Sequence, residues 1–364
     1  PLLYTGNGST QSIDDLTFTP DFVWVKARQA VVSHILTDSV RGVSKSLSSN
    51  AADQEYFNSG YQTTAFNSDG FTVVDQTNGG YGVNGAAGQT FSGTNAYYVA
   101  WNWKSGGAPT ATNSEVAGDV PTAGSVMIDG VSSTAALAGT IAATNISANT
   151  DAGFSIVSYT GNAGNGSIGH GLNNTVELVL IKKTSASESW IVWYEGAGTT
   201  NFLELNDSTA TQTGAGWGGV PTSSIVHLQN GGAGRSNAAA NYIAYCFHSV
   251  VGYSKIGSYT WTNTSYTAGT MVTNLGFTPR FVMIKRTNGL GNWQMYDSSR
   301  GATSGTQQRY ALYADNYDQE VTTDYQSIGF DSDGFSAIVG ANGNPTGGGG
   351  LNENGGEYLY LAIA

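Results

Sequence analysis

Phe18-Thr19-Pro20-Asp21-Phe22-Val23-Trp24-Val25-Lys26 and Phe277-Thr278-Pro279-Arg280-Phe281-Val282-Met283-Ile284-Lys285 are one phrase written twice in the same chain. A third version, Val176-Glu177-Leu178-Val179-Leu180-Ile181-Lys182, is shorter and ends the same way. In each, side chains alternate with period two, and both alternating sets are largely apolar. Such a strand is buried on both faces, or packs on one face against a neighbouring domain.

The likeness extends outward from this phrase in both directions. Tyr4-Thr5-Gly6-Asn7, Tyr159-Thr160-Gly161-Asn162 and Tyr259-Thr260-Trp261-Thr262 precede the three strands. Eight residues after each lysine stands His34, Trp190 or Trp293. The first and third copies share Asp-Ser-x-Arg-Gly, at Asp38 to Gly42 and Asp297 to Gly301. They also share Phe-x-Ser-Asp-Gly-Phe, at Phe66 to Phe71 and Phe330 to Phe335. An aromatic strand closes each copy, at Tyr97 to Trp103, Tyr242 to Phe247 and Tyr358 to Ile363. Self-similarity of this kind marks repeated domains.

The chain is therefore read as all-β, with three tandem homologous β-sandwich (jelly-roll-like) domains at 1–104, 151–257 and 258–364. Residues 105–150 match no copy and are rich in Ala, Ser, Thr and Gly, the composition of an extended linker. One added strand is expected there, at Val126-Met127-Ile128. The absence of a spacer after the second copy predicts that domains 2 and 3 pack rigidly and that domain 1 is more independent. Asp69-Gly70 and Asp333-Gly334 are hairpin-turn chemistry. Short helical turns are expected near Ser44 to Ala52 and Gln307 to Asp315.

Composition agrees with many short strands and turns. Of 364 residues, 50 are Gly and 7 are Pro, and only 11% are charged. The net charge of −12 argues against nucleic acid, which needs a basic footprint, and against anionic membrane surfaces. No apolar run reaches the ~18 residues of a spanning helix, so no membrane insertion is expected. The single cysteine, Cys246, excludes an intrachain disulfide and sits in a strand-like run as a small buried hydrophobe.

Catalytic signatures are missing. There is no phosphate-binding loop, no strand-linked Gly-x-Gly-x-x-Gly, no Gly-x-Ser-x-Gly elbow and no Glu-x-Asp-x-x-Glu strand. The four histidines, His34, His170, His227 and His248, form no compact ligand pair. His34 stands where the other copies carry Trp, so it is read as a packing residue. Asp38 with Arg41, and Asp297 with Arg300, read as turn-closing salt bridges. The chain is taken as a non-enzyme that needs no cofactor. Calcium is the one metal considered, at Asn67 and Asp69 and at Asp331 and Asp333, where oxygens alternate before a turn glycine. The alternative reading of both segments is a tight turn between strands. Candidate ligand-binding aromatics are Tyr81, Trp217, Trp261 and Tyr266, which lie outside the repeated strands among Gly, Asn and Thr. Flat rings with neutral hydrogen-bonding neighbours suit sugars; the alternative reading is that they plug domain edges or a subunit interface.

The Tyr-Thr-Gly-Asn opening, Gly276 to Lys285, Asp-Ser-x-Arg-Gly, Phe66 to Phe71, Tyr98 to Lys104 and Asn149 to Val157 together resemble repeats in virion proteins of tailed, often marine, bacteriophages. The resemblance covers all three copies and carries over no catalytic residue. It implies a virion structural protein, extracellular in location, most readily a tail-fibre or receptor-binding component contacting host surface polysaccharide. Other virion proteins are the implied partners. A homo-oligomer is expected, a trimer among the cyclic states. Rival readings are a capsid decoration protein, an extracellular enzyme acting on polysaccharide, and a secreted adhesin. The second copy lacks Phe-Thr-Pro, Asp-Ser-x-Arg-Gly and Ser-Asp-Gly-Phe, which assigns its outer loops to a different contact.

Overall fold

The computed structural model describes residues 1–57, 61–75, 82–85, 96–214, 217–230, 235–262, 269–301, 307–308, 310–322, 327–338 and 350–364. It is all-β, with no helix among those residues. The helical turns expected near Ser44 and Gln307 are strands instead, Lys45–Ser46 and Tyr310–Tyr313. Leu47 pairs with Leu36, and Leu312 with Met295, so pairing to a core strand overrides local propensity.

Each of three units builds one main sheet in the same order. In unit 1 it runs Leu2–Thr5, Tyr97–Trp103, Phe22–Ala27, Ile35–Asp38. In unit 2 the same places are held by Phe154–Thr160, Asn241–Phe247, Leu178–Lys183 and Ile191–Tyr194, and in unit 3 by Ser254–Trp261, Gly356–Ile363, Phe281–Arg286 and Gln294–Asp297. These pairings are antiparallel. A smaller sheet lies across each main sheet. In unit 1 it is Thr10–Ile13, Gly70–Asp75 and Tyr61–Asn67, and in unit 2 Asn165–Gly169 with Ile225–Gln229. The Asp69-Gly70 and Asp333-Gly334 turns are real hairpins. Their glycines are demanded by close approach, since a Cβ would sit 1.9 Å from the Ile13 or Val272 carbonyl oxygen.

The tyrosines of the repeated opening now have a reason. Tyr4 stacks on Tyr98, Tyr159 on Tyr242 and Tyr259 on Tyr358, with centroids 5.1, 5.1 and 4.8 Å apart. In each pair the first hydroxyl donates to a carbonyl, of Val83, Ser236 or Leu351. The second accepts an amide, of Gly85, Ala238 or Glu353. The loop before the closing strand is thereby held twice in every unit.

Period two divides the central strand between two cores. Val23, Val25 and Ala27 face the interior of unit 1. Phe22 and Trp24 face a different cluster, which also contains Leu178, Leu180 and Trp190 of unit 2 and Phe281, Met283 and Trp293 of unit 3. Units 2 and 3 keep their own sandwich cores as well. The expectation of an independent first domain fails for this reason: unit 1 shares the central core on the same terms as the others. Full burial of one such side chain is worth ~1.5–3 kcal/mol. Exposing several would exceed the ~5–15 kcal/mol that a domain has in hand.

Residues 105–150, expected as a linker, carry three strands. Val131–Ser132, Val126–Ile128 and Ala143–Asn149 extend the main sheet of unit 2 beyond Phe154–Thr160. Val126–Ile128 pairs in parallel with Ala143–Asn149. The low-complexity composition concealed the strands because Ala and Gly are weak strand formers, and one of its glycines is demanded by close approach of the strands. A Cβ at Gly106 would lie 2.4 Å from the Met127 carbonyl oxygen. Cys246 is fully buried, and burial pushes its thiol up to about 12.

Candidate functional site

Polar contacts among the units close into a cycle. The Trp190 indole donates to the Ser48 carbonyl at 2.9 Å, unit 2 onto unit 1. Trp293 donates to the Glu204 carbonyl at 2.8 Å, unit 3 onto unit 2. His34 Nε2 meets the Tyr313 carbonyl at 2.9 Å, unit 1 onto unit 3. His34 Nδ1 accepts from the Trp24 indole at 2.8 Å, so Nε2 carries the proton and the ring is neutral.

The strand-ending lysines repeat this cycle four residues further along the partner loops. Lys182 Nζ donates to Ala52, Lys183 and Glu188 carbonyls at 3.1, 2.9 and 2.8 Å. Lys285 donates to Ser208, Thr209 and Arg286 at 3.1, 2.8 and 2.9 Å. Lys26 donates to Ala27, Ala30 and Tyr317 at 2.9, 3.1 and 3.5 Å. Burial pulls the three ammonium groups down, Lys26 to about 7 and Lys182 and Lys285 to about 8. Each has three carbonyl acceptors for its three donors, which makes it a stitch between units.

Asp38 and Asp297 close their turns with Arg41 and Arg300, each at 2.6 Å. Both also take a donor from another unit. Tyr245 of unit 2 reaches Asp38, and Trp101 of unit 1 reaches Asp297. Sequence reading found the salt bridges and missed these second donors.

One junction differs because the inserted residues wall it. A cleft of about 480 Å³ lies between unit 1 and the insertion. Its unit 1 side includes Asp21, Phe66 and Lys104, and its opposite side Gly107, Asn149 and Asp151. Asp21 is positioned at the start of the repeated strand. One of its oxygens accepts from Ser39 Oγ at 2.8 Å, and the other from the amides of Ser105 at 2.8 Å and Gly107 at 3.3 Å. Burial raises its pKa, and these hydrogen bonds oppose the rise. Glu177 does the same service in unit 2, accepting from the Ser249 amide at 2.5 Å. Asp21 is thus a fixed structural floor, while other groups remain open. Lys104 and Asp151 are exposed and form no hydrogen bond or ion pair among the described residues. Asn149, which lines the cleft, uses its oxygen on the Ala152 amide at 2.9 Å, and its NH₂ has no hydrogen bond among the described residues. Phe66 is half-buried, one side on the unit 1 core. Asp129 is held by the Thr150 amide and hydroxyl at 2.7 and 2.6 Å.

The aromatics expected to bind ligand are placed otherwise. Trp217 is 1% exposed within the unit 2 core and donates to the Asn201 carbonyl at 3.0 Å. Trp261 is 4% exposed in the unit 3 core. Neither offers a free ring face, which corrects that assignment. Their Gly- and Thr-rich surroundings gave a loop signature to residues that plug sandwich interiors. Tyr81 and Tyr266 lie outside the described residues. At the calcium candidates, Asn67 donates to Thr72 Oγ1 at 3.0 Å, and Asp333 accepts the Gly276 amide at 2.6 Å. Asp69 accepts the Leu16 amide through its carbonyl at 2.8 Å. Asp331 pairs across its hairpin with Gly334. No group of three or more His, Cys, Asp and Glu side chains suited to a metal occurs among the described residues.

The sequence matches the model of a family described as a domain of unknown function, DUF7483, over residues 1–134 and again over 128–364. The chain belongs to the DUF7483 family. The two DUF7483 matches overlap at residues 128–134, within the insertion, so the second takes in the whole of Ala143–Asn149 together with units 2 and 3. No curated protein and no solved structure matches the chain.

Proposed function

We propose that this protein is a non-enzymatic structural component of a bacteriophage virion, of the tail-fibre or receptor-binding class, that holds the particle to host surface glycan. The observation that carries the reading is the central core shared by three like units, with its cycle of Trp, His and Lys contacts. A body closed in this way presents its outer loops at fixed separations. Several weak surface contacts can then sum by avidity without an ordering cost at each. The repeated phrases that resemble phage virion proteins lie in this framework. A ring of three like units also suits a seat on the end of a threefold fibre, and other virion proteins are the proposed partners.

Imaging of phage particles decorated with gold-tagged antibody against this chain tests the reading. Label at the tail tip is the expected result. Label over the head would make the protein a capsid decoration component, and unlabelled particles would remove the virion reading.

A further inference from the structure

We infer that the cleft between unit 1 and the inserted strands is a binding subsite for a neutral, hexose-type saccharide. The inference rests on the glycan-binding reading above and gives that reading a location.

Four observations lead there. First, the cleft volume of about 480 Å³ falls within the ~300–1,000 Å³ of small-molecule sites. Second, its lining combines the elements that a sugar ring uses. Phe66 offers a half-exposed ring for C–H faces. The Asn149 NH₂ and Lys104 ammonium can donate to hydroxyl oxygens, and the Asp151 carboxylate can accept hydroxyl protons. Third, the backbone is open on one side. Gly107 and Gly130, at φ +93° and +84°, have no atom within 4 Å of where a Cβ would stand, so nothing crowds the cleft along this stretch of backbone. Fourth, the walls are rigid. Ser105 Oγ donates to the Ser147 carbonyl at 2.5 Å, and Ser147 Oγ to the Gly107 carbonyl at 2.8 Å.

Charge selects among saccharides. Asp21, Asp129 and Asp151 face the cleft with Lys104, three carboxylates against one ammonium. A uronate, sialate or phosphate would meet a net negative lining, whereas a neutral hexose would not. The site is also singular. The equivalents of Asp21 are Glu177 and Arg280, and the insertion walls only the junction after unit 1. The contacts around the shared core recur three times, and this cleft belongs to the segment that does not repeat.

The test titrates the full chain with methyl glycosides and short oligosaccharides of neutral hexoses, alongside the matching uronates, and follows binding by calorimetry and ligand-observed NMR. Attachment of the same chain to host cells is measured in parallel. The expected result is saturable binding of neutral sugars and none of uronates. Ala108→Trp, which fills the cleft from an exposed position, should abolish binding. Asn149→Ala and Asp151→Ala should each weaken it about tenfold, the effect of losing a good polar contact. Glu115→Gln, exposed on the insertion, is the control and should bind normally. Ala108→Trp, Asp151→Ala and Glu115→Gln should keep the parent unfolding midpoint, and Asn149→Ala, which also loses the contact to the Ala152 amide, should lower it slightly. Cell attachment that Ala108→Trp leaves intact would overturn the subsite while the glycan-binding reading stands. Uronates binding as tightly as neutral sugars would overturn the ligand class. Absence of both cell attachment and saccharide binding would overturn subsite and reading together.

Discussion

The Tyr245 hydroxyl of unit 2 donates to the Asp38 carboxylate of unit 1 at 2.7 Å. Trp101 of unit 1 stands in the same relation to Asp297 of unit 3, at 3.0 Å. The cycle has a third place, where unit 3 meets unit 2. By strand register the aspartate position is Tyr194 and the donor position is Leu361. Leu361 belongs to the central apolar cluster, and Tyr194 is partly buried against it with its hydroxyl on Thr211 Oγ1 at 2.7 Å. Carboxylate and donor are both absent at this third place, as expected where a lone buried charge is costly.

Tyr245→Phe should therefore lower unfolding free energy by about 1.5–3 kcal/mol, the usual worth of a hydrogen bond to a charged group. Tyr194→Asp should also destabilise, and Leu361→Tyr added to it should recover part of the loss. Denaturant titrations of the two single variants and the double variant measure the coupling. Simple additivity of the Tyr194 and Leu361 effects would contradict the pairing.

Lys182→Met should leave the carbonyls of Ala52, Lys183 and Glu188 without their donor. A loss of about 1–3 kcal/mol is expected for such groups. Lys182→Arg should not rescue it, because a planar fork cannot place three donors as an ammonium does. Urea midpoints of both variants check this.

Stability should fall on mild acidification. Burial, then the Lys26 charge, holds the His34 pKa well below the ordinary histidine value, and burial pulls His170 down to about 4. The unfolded chain takes up these protons near pH 6.5, and the folded chain does not. Their contribution is complete above that pH and is lost as pH falls, at about 1.4 kcal/mol per unit per group. The Asp315 carboxyl, raised to about 6 by burial, acts in the opposite sense. His34→Gln isolates the first effect, since its amide can keep both hydrogen bonds without titrating. The variant should lose less stability than the parent between pH 7 and 5 in paired denaturation curves.

Trp217→Ala and Trp261→Ala should act as core truncations, each costing about 3–5 kcal/mol. Thermal melts would show this directly. A variant with an unshifted melt but weakened cell attachment would return these rings to the surface role that their sequence neighbourhood implied.

How far the sequence could be read depends on range. The three-fold repetition of Phe22-to-Lys26 phrasing placed the main sheets, because each phrase is local and alternates with period two. The same alternation announced that Phe22 and Trp24 would face a neighbour, though not that three such faces would meet. The strand-ending lysines and the Trp190 and Trp293 positions were visible as repeats. Their acceptors were not, since backbone carbonyls of Ser48 and Glu204 leave no side-chain signature. Asn84, Asn237 and Asn352 are a further repeat without a sequence signature. Asn84 and Asn237 each bind the Asn of the opening motif, Asn7 or Asn162, at 2.9 Å. Flanked by turn residues of little pattern, they gave no periodic cue. The cleft was hidden for a similar reason: Asp21 and Asp151 are far apart in sequence and meet only because strands formed in a segment with linker composition.

Native-state hydrogen exchange tests the closed three-unit body most directly. Amides in Phe22–Ala27, Leu178–Lys183 and Phe281–Arg286 should exchange through one opening, with the same free energy and the same denaturant dependence. Exchange of Phe22–Ala27 through a separate, lower-energy opening, while the other two strands stay protected, would contradict the shared core.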